Sequence, residues 1–197
     1  MQAKTTKKIS SSAVATVLAT SSVALGLPAE QTNAAQYFKD VKTTDFFYSA
    51  VNELAENKIV NGYGDGTFRP LNNVTRGEAA KMLALALKLD VANAETKQFK
   101  DVKKGDIFYK YIAALANKGI INGYPDGSFK PNEVVQRGAM AKMVALGYEF
   151  TLAKNFTHPF KDVDQKHIFN QHIQTLVNLN ITKGTSGTID GGSGTNK

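Results

Sequence analysis

Two tetrapeptides place a guanidinium where it could meet an anion. Thr75-Arg76-Gly77-Glu78 and Gln136-Arg137-Gly138-Ala139 stand 61 residues apart. Arginine is the side chain best matched to a carboxylate, through a two-pronged, charge-assisted contact. Each arginine opens a run with helical periodicity, and a helix start adds N–H groups and a dipole that favour negative charge. The plain alternative is an exposed arginine on a capped helix. Thr75 and Glu78 have the spacing of a capping box, so Glu78 reads first as a cap. The second box is damaged, with Gln136 and Ala139 at the two key positions. Lys81 and Lys142 follow about one turn on, where they either assist or are simply solvated.

A second pair of motifs precedes these arginines. "NGYGDGTFRP" at 61–70 returns as "NGYPDGSFKP" at 122–131. A calcium loop with Gly66 in sixth place would need oxygen ligands at Tyr63 and Asn72, and a bidentate glutamate is missing. The Asp-Gly pair reads instead as a tight turn. Gly62 and Gly123 serve backbone geometry and could let a ligand approach closely. Tyr63 and Tyr124 either pack against the turn or stack on a ligand. His158, His167 and His172 lack metal-site spacing, and no catalytic constellation is present. Neither an enzyme nor a bound cofactor is expected.

The elements that carry these motifs repeat. "FKDV" begins at Phe38, Phe99 and Phe160, and the other paired motifs keep the same 61-residue interval. Each "FKDV" is followed by an apolar stripe at helical spacing: Val51 and Leu54, then Ile112 and Leu115, then Ile173 and Leu176. Asn57-Lys58 and Lys118-Gly119 close the first two of these helices. A second helix is predicted over 76–89 and over 137–150. The units read as 36–95, 96–156 and a truncated 157–184. The third lacks the Asp-Gly turn, the proline and the arginine helix. Its lone helix, over 167–181, is expected to complete a central three-helix core with the first helices of the other units. The Gly/Ser/Thr-rich tail at 185–197 reads as disordered.

The chain has 197 residues, no cysteine and a formal charge of +7. Residues 1–34 read as a secretory signal peptide: a basic start, a short apolar stretch and a small-residue exit. Their loss removes three lysines and one glutamate, taking +7 to +5. No later segment is suited to spanning a membrane. A basic secreted chain favours a cell-wall polyanion over nucleic acid as partner.

The order "FKDV", helix, "GYGDGTFRP", "VTRGEAAKML" resembles the S-layer homology (SLH) module, over roughly 38–184. The resemblance implies an all-α, pseudo-threefold bundle of tandem modules with short turns. It implies non-covalent anchoring, at the cell surface of a Gram-positive-type bacterium, to a secondary cell-wall polysaccharide. Its ligand would be a terminal pyruvylated amino sugar, held in grooves between neighbouring modules. The family's Thr-Arg-Ala-Glu motif lines that groove and falls here on Thr75, Arg76, Gly77 and Glu78, and in degraded form on 136–139. Two departures stand out. Where the family carries tryptophan, this chain has Phe46, Ile107 and Ile168, and the third unit is short. A piece of a longer S-layer protein or wall hydrolase is the competing description.

Overall fold

The computed structural model describes residues 36–95, 99–155, 157 and 160–183. The expected signal peptide and tail, and His158, lie outside them. The described chain forms five helices: α1 (Tyr48–Glu56), α2 (Arg76–Ala86), α3 (Tyr109–Asn117), α4 (Arg137–Gly147) and α5 (Asn170–Asn178). Among the described residues there is no strand, only an antiparallel bridge between Thr75 and Val134. Among the described residues the fold is all-α, as the resemblance implied.

The helix ends follow local chemistry. Lys58, Lys88, Gly119, Glu149 and Asn180 all have φ between 51° and 69°. Each follows a helix and turns the chain left-handed. After α1, for example, Ile59 N donates to Leu54 O at 2.8 Å and Lys58 N to Ala55 O at 2.9 Å. That pair of bonds is the Schellman closure, which uses carbonyls the helix would otherwise leave unpaired.

Tertiary packing differs from the expected central core of first helices. α2 packs on α3 and on α4, and α4 packs on α5. The helices α1, α3 and α5 do not meet one another. Side-chain size supplies the reason. α2 buries Ala79, Ala80 and Ala84, and α4 buries Ala139, Ala141 and Ala145. Such small residues let a helix approach neighbours on more than one side. The stripes of α3 and α5 each serve one partner. Thus the arginine-bearing helices occupy the centre, and each receives the first helix of the next repeat. α1 lies over its own "FKDV" segment, where Phe38, Val41, Val51 and Val60 cluster with Phe68 and Met82.

Candidate functional site

The Asp-Gly turns are braced from 28 residues upstream. Asp40 accepts from the N–H groups of Phe68 and Arg69 at 2.7 and 2.8 Å. Asp101 repeats this with Phe129 and Lys130, both at 2.7 Å. The aspartate of "FKDV" is therefore the clamp of the turn, a role that sequence reading missed. Its recurrence at 40, 101 and 162 was the available signal. Inside each turn, Asp65 accepts from Thr67 N and Oγ1, and Asp126 accepts from Ser128 N and Oγ. The hydroxyl bonds hold both carboxyls below their ordinary range, Asp126 at about 2, with backbone N–H groups and Arg69 or Lys100 adding to the effect. These contacts are those of a turn.

Gly62 and Gly123 owe their identity to packing. A Cβ on Gly62 would lie 2.6 Å from Thr67 O and would also strike the Phe38 ring. One on Gly123 would lie 2.7 Å from Phe99 Cε1. Gly62 further adopts φ +62°, where a side chain is strained.

The start of α2 is the capping box that the sequence indicated. Thr75 Oγ1 accepts from Glu78 N at 3.2 Å, and a Glu78 carboxylate oxygen accepts from Thr75 N at 2.7 Å. The expected free N–H groups are absent, however. Arg76 N donates to Glu133 O and Gly77 N to Pro131 O, both at 2.8 Å. The loop of the second repeat has taken the amides that an anion would need, so any anion must be met by side chains. At α4, Gln136 makes no capping bond, as expected.

The Arg76 side chain leaves its own repeat. Its Nε donates to Phe129 O at 2.7 Å. Its guanidinium carbon lies 4.5 Å from the Phe129 ring centre and 5.0 Å from that of Tyr124. Among the described residues its two Nη groups make no hydrogen bond. Lys130 Nζ also lies 4.7 Å from the Tyr124 centroid. The Tyr63 ring carries Arg69 at 3.9 Å, and Arg69 is paired with Asp65 at 3.0 Å. Both tyrosines thus hold cations beside the turn.

Two grooves result, each between consecutive repeats. The first, about 310 Å³, is lined by Gly62, Tyr63, Glu78, Lys81 and Ile107, among others. The second, about 350 Å³, is lined by Arg76, Gly123, Tyr124, Glu133, Lys142 and Ile168, among others. Arg76 therefore joins Lys142, Gly123 and Tyr124, and not Lys81, which was its sequence neighbour. Glu78 lines the first groove while its carboxylate holds Thr75. Arg137 enters neither groove; it is exposed and borders a third cleft beside α5. Ile107 and Ile168 are 77% and 79% exposed and still line the two grooves, whereas Phe46 is 96% exposed and lines neither.

The S-layer homology domain model matches residues 37–80, 98–141 and 159–190, more than half of the chain. The chain belongs to the SLH family. Membership places it at the bacterial cell surface or cell wall. An S-layer protein of Bacillus thuringiensis subsp. finitimus is 30% identical over 169 residues, which is 85% of this SLH chain and 20% of that protein. A cellulosome-anchoring protein of Acetivibrio thermocellus is 36% identical over 118 residues, 58% of this chain and 26% of its own length. An uncharacterized cell wall amidase of Bacillus anthracis is 32% identical over 160 residues, 80% of this chain and 29% of its own. The chain spans about a fifth to just over a quarter of these relatives.

In this SLH chain the glycine of each Arg-Gly pair has a local cause. A Cβ on Gly77 would lie 2.8 Å from Phe108 Cε2, and one on Gly138 would lie 2.6 Å from Phe169 Cδ2. Phe108 and Phe169 are the N-caps of α3 and α5. Each seats its ring over the helix of the preceding repeat.

No helix among the described residues is long and apolar enough to cross a membrane. Among those residues, no three histidine or carboxylate side chains cluster as a metal site would require.

Proposed function

We propose that this SLH chain anchors non-covalently to an acidic secondary cell-wall polysaccharide, with the groove around Arg76 as the main binding site. The observation that carries this reading is the Arg76 side chain. Its Nε is held by Phe129 O, which leaves two Nη groups for a ligand. A pyruvate ketal fixes a carboxylate on a sugar ring, and a pre-oriented guanidinium can grip it with two parallel bonds. Lys142 adds a second cation, and Tyr124 and Ile168 give the sugar a partly apolar wall. The first groove offers less. Its Arg69 is engaged by Asp65, and Lys81 remains as its principal cation.

Anchoring, rather than catalysis, fits the names of the relatives. One is an S-layer protein, one anchors a cellulosome, and a wall amidase carries a similar stretch. A pull-down on purified sacculi tests the reading. Binding should be retained on walls carrying the secondary polymer and lost when that polymer is removed. Equal binding to bare peptidoglycan would point to another ligand.

A further inference from the structure

Each groove carries an asparagine followed by glycine. Asn61-Gly62 and Asn122-Gly123 are the two Asn-Gly pairs of the sequence. Asn61 lines the first groove and Asn122 the second. Both are exposed, and the counterpart in the third repeat is Lys183. In an Asn-Gly pair the side-chain amide carbon readily meets the next backbone nitrogen, because glycine has no Cβ to obstruct the approach.

The same decapeptides hold an internal comparison. Asp65-Gly66 and Asp126-Gly127 also pair a side-chain carbonyl carbon with a glycine nitrogen, yet the fold engages both partners. Gly66 N donates to Tyr63 O and Gly127 N to Tyr124 O, each at 2.9 Å. The Asp65 and Asp126 carboxylates accept from Thr67 and Ser128, and an ionised carboxylate is a poor electrophile. The Asn-Gly pairs have neither protection. Among the described residues, the side-chain amides of Asn61 and Asn122 and the N–H groups of Gly62 and Gly123 make no hydrogen bond. Packing also fixes the glycines. A Cβ on Gly62 would lie 2.6 Å from Thr67 O, and one on Gly123 would lie 2.4 Å from Ser128 O.

The surroundings favour reaction. Arg76 and Lys142 line the second groove with Asn122, and Lys81 lines the first with Asn61. A nearby cation stabilises the anion that forms when the glycine N–H gives up its proton.

We propose that Asn61 and Asn122 are sites of spontaneous deamidation, and that conversion of Asn122 turns the Arg76 groove against acidic ligands as the protein ages. Base takes the proton from Gly123 N, and that nitrogen attacks Asn122 Cγ. The bond from Cγ to the side-chain nitrogen breaks, and that nitrogen leaves as ammonia after regaining the proton. Water then opens the five-membered imide at either carbonyl, giving aspartate or isoaspartate. Each event replaces a neutral amide by a carboxylate, with water as the only co-reactant. The consequence for anchoring rests on the reading of the Arg76 groove given above. A new carboxylate there competes for Arg76 and Lys142 and repels an acidic sugar.

Incubation of the full chain in mildly alkaline buffer, followed by peptide mapping with mass spectrometry, tests the sites. Asn61 and Asn122 should convert ahead of every other asparagine, while Asp65 and Asp126 stay unisomerised. Amides that persist at both positions in the folded chain would overturn the proposal, and so would isomerisation of Asp65 and Asp126 at the same pace. Retention on purified walls carrying the secondary polymer reads the consequence. Asn122→Asp should bind at least about tenfold more weakly than the parent at an unchanged Tm, and the aged parent should fall toward it. Asn122→Gln, compared with its own fresh sample, should keep most of its binding through the same incubation. Equal binding of Asn122→Asp and the parent would overturn the charge switch. A fresh parent that fails to bind these walls would sink the anchoring reading instead, and the mapping would still decide the modification.

Discussion

Arg76 Nε and the carbonyl of Phe129 are 2.7 Å apart across 53 residues of sequence. The bond ties the second helix of one repeat to the turn of the next. It also decides which groove receives the arginine.

Arg76 and Lys142 should act together on the ligand, because they line one groove. Arg76→Ala should weaken polymer binding by about 1.5–3 kcal/mol, the scale of a lost charged hydrogen bond. Arg76→Lys should also be impaired, since a lysine cannot form the two-pronged contact. Combined with Lys142→Ala, the arginine change should be non-additive, while combined with Lys81→Ala it should add. Calorimetric titration with a pyruvylated fragment reads both cycles. Coupling to Lys81 and independence from Lys142 would contradict the groove assignment.

Gly77→Ala should reverse the usual helix rule. In an exposed helix the change stabilises by up to about 1 kcal/mol. Here the new methyl would meet the Phe108 ring, with Cε2 at 2.8 Å. Such overpacking costs about 1–3 kcal/mol. Urea melts of Gly77→Ala alone and with Phe108→Leu should show loss and then partial recovery. A more stable single variant would mean that Phe108 yields freely.

Acid should destabilise the turns before the helices. Asp40, Asp65 and Asp126 are held below the ordinary 3.8 in the folded chain, by the Phe68 N–H, the Thr67 hydroxyl and the Ser128 hydroxyl respectively. A depressed carboxylate contributes stability that is complete above its unfolded value and is lost as pH falls through its folded value. For Asp126 the window runs from 3.8 down to about 2. Tm should hold steady near pH 5 and drop across that window. Asp126→Asn should flatten part of the drop, and an unchanged profile in that variant would refute the assignment.

Asn52 should be better replaced by alanine. Its side chain is buried in α1, and among the described residues neither its amide nitrogen nor its amide oxygen has a hydrogen-bond partner. An unpaired buried polar group costs about 1–3 kcal/mol. The equivalent residue of α3 is Ala113, fully buried, which shows that the position accepts a methyl group. Chemical denaturation of Asn52→Ala should show a gain. A loss of stability would reveal a partner for the amide.

Much of this protein is legible in order along the chain. The 61-residue repeat, the helix stripes, the Asp-Gly turns and the Thr75–Glu78 box all act within a few turns of backbone. Their causes are local: a 3.6-residue period, a cap, a residue that tolerates positive φ. They are legible for that reason, and the family follows from them. What the tertiary structure alone decided is which repeat serves which. No local pattern says that Arg76 crosses into the groove of the second repeat, or that the Pro131 and Glu133 carbonyls occupy the start of α2. None says that Asp40 clamps a turn 28 residues away, or that Gly77 yields to Phe108. These are contacts between surfaces that meet only after α2 and α4 pack at the centre. They pack there because their alanines admit close neighbours on more than one side, whereas a one-faced stripe admits one. The spacing of the motifs specifies the parts, and the size of the side chains between them sets the offset by one repeat that assembles the grooves.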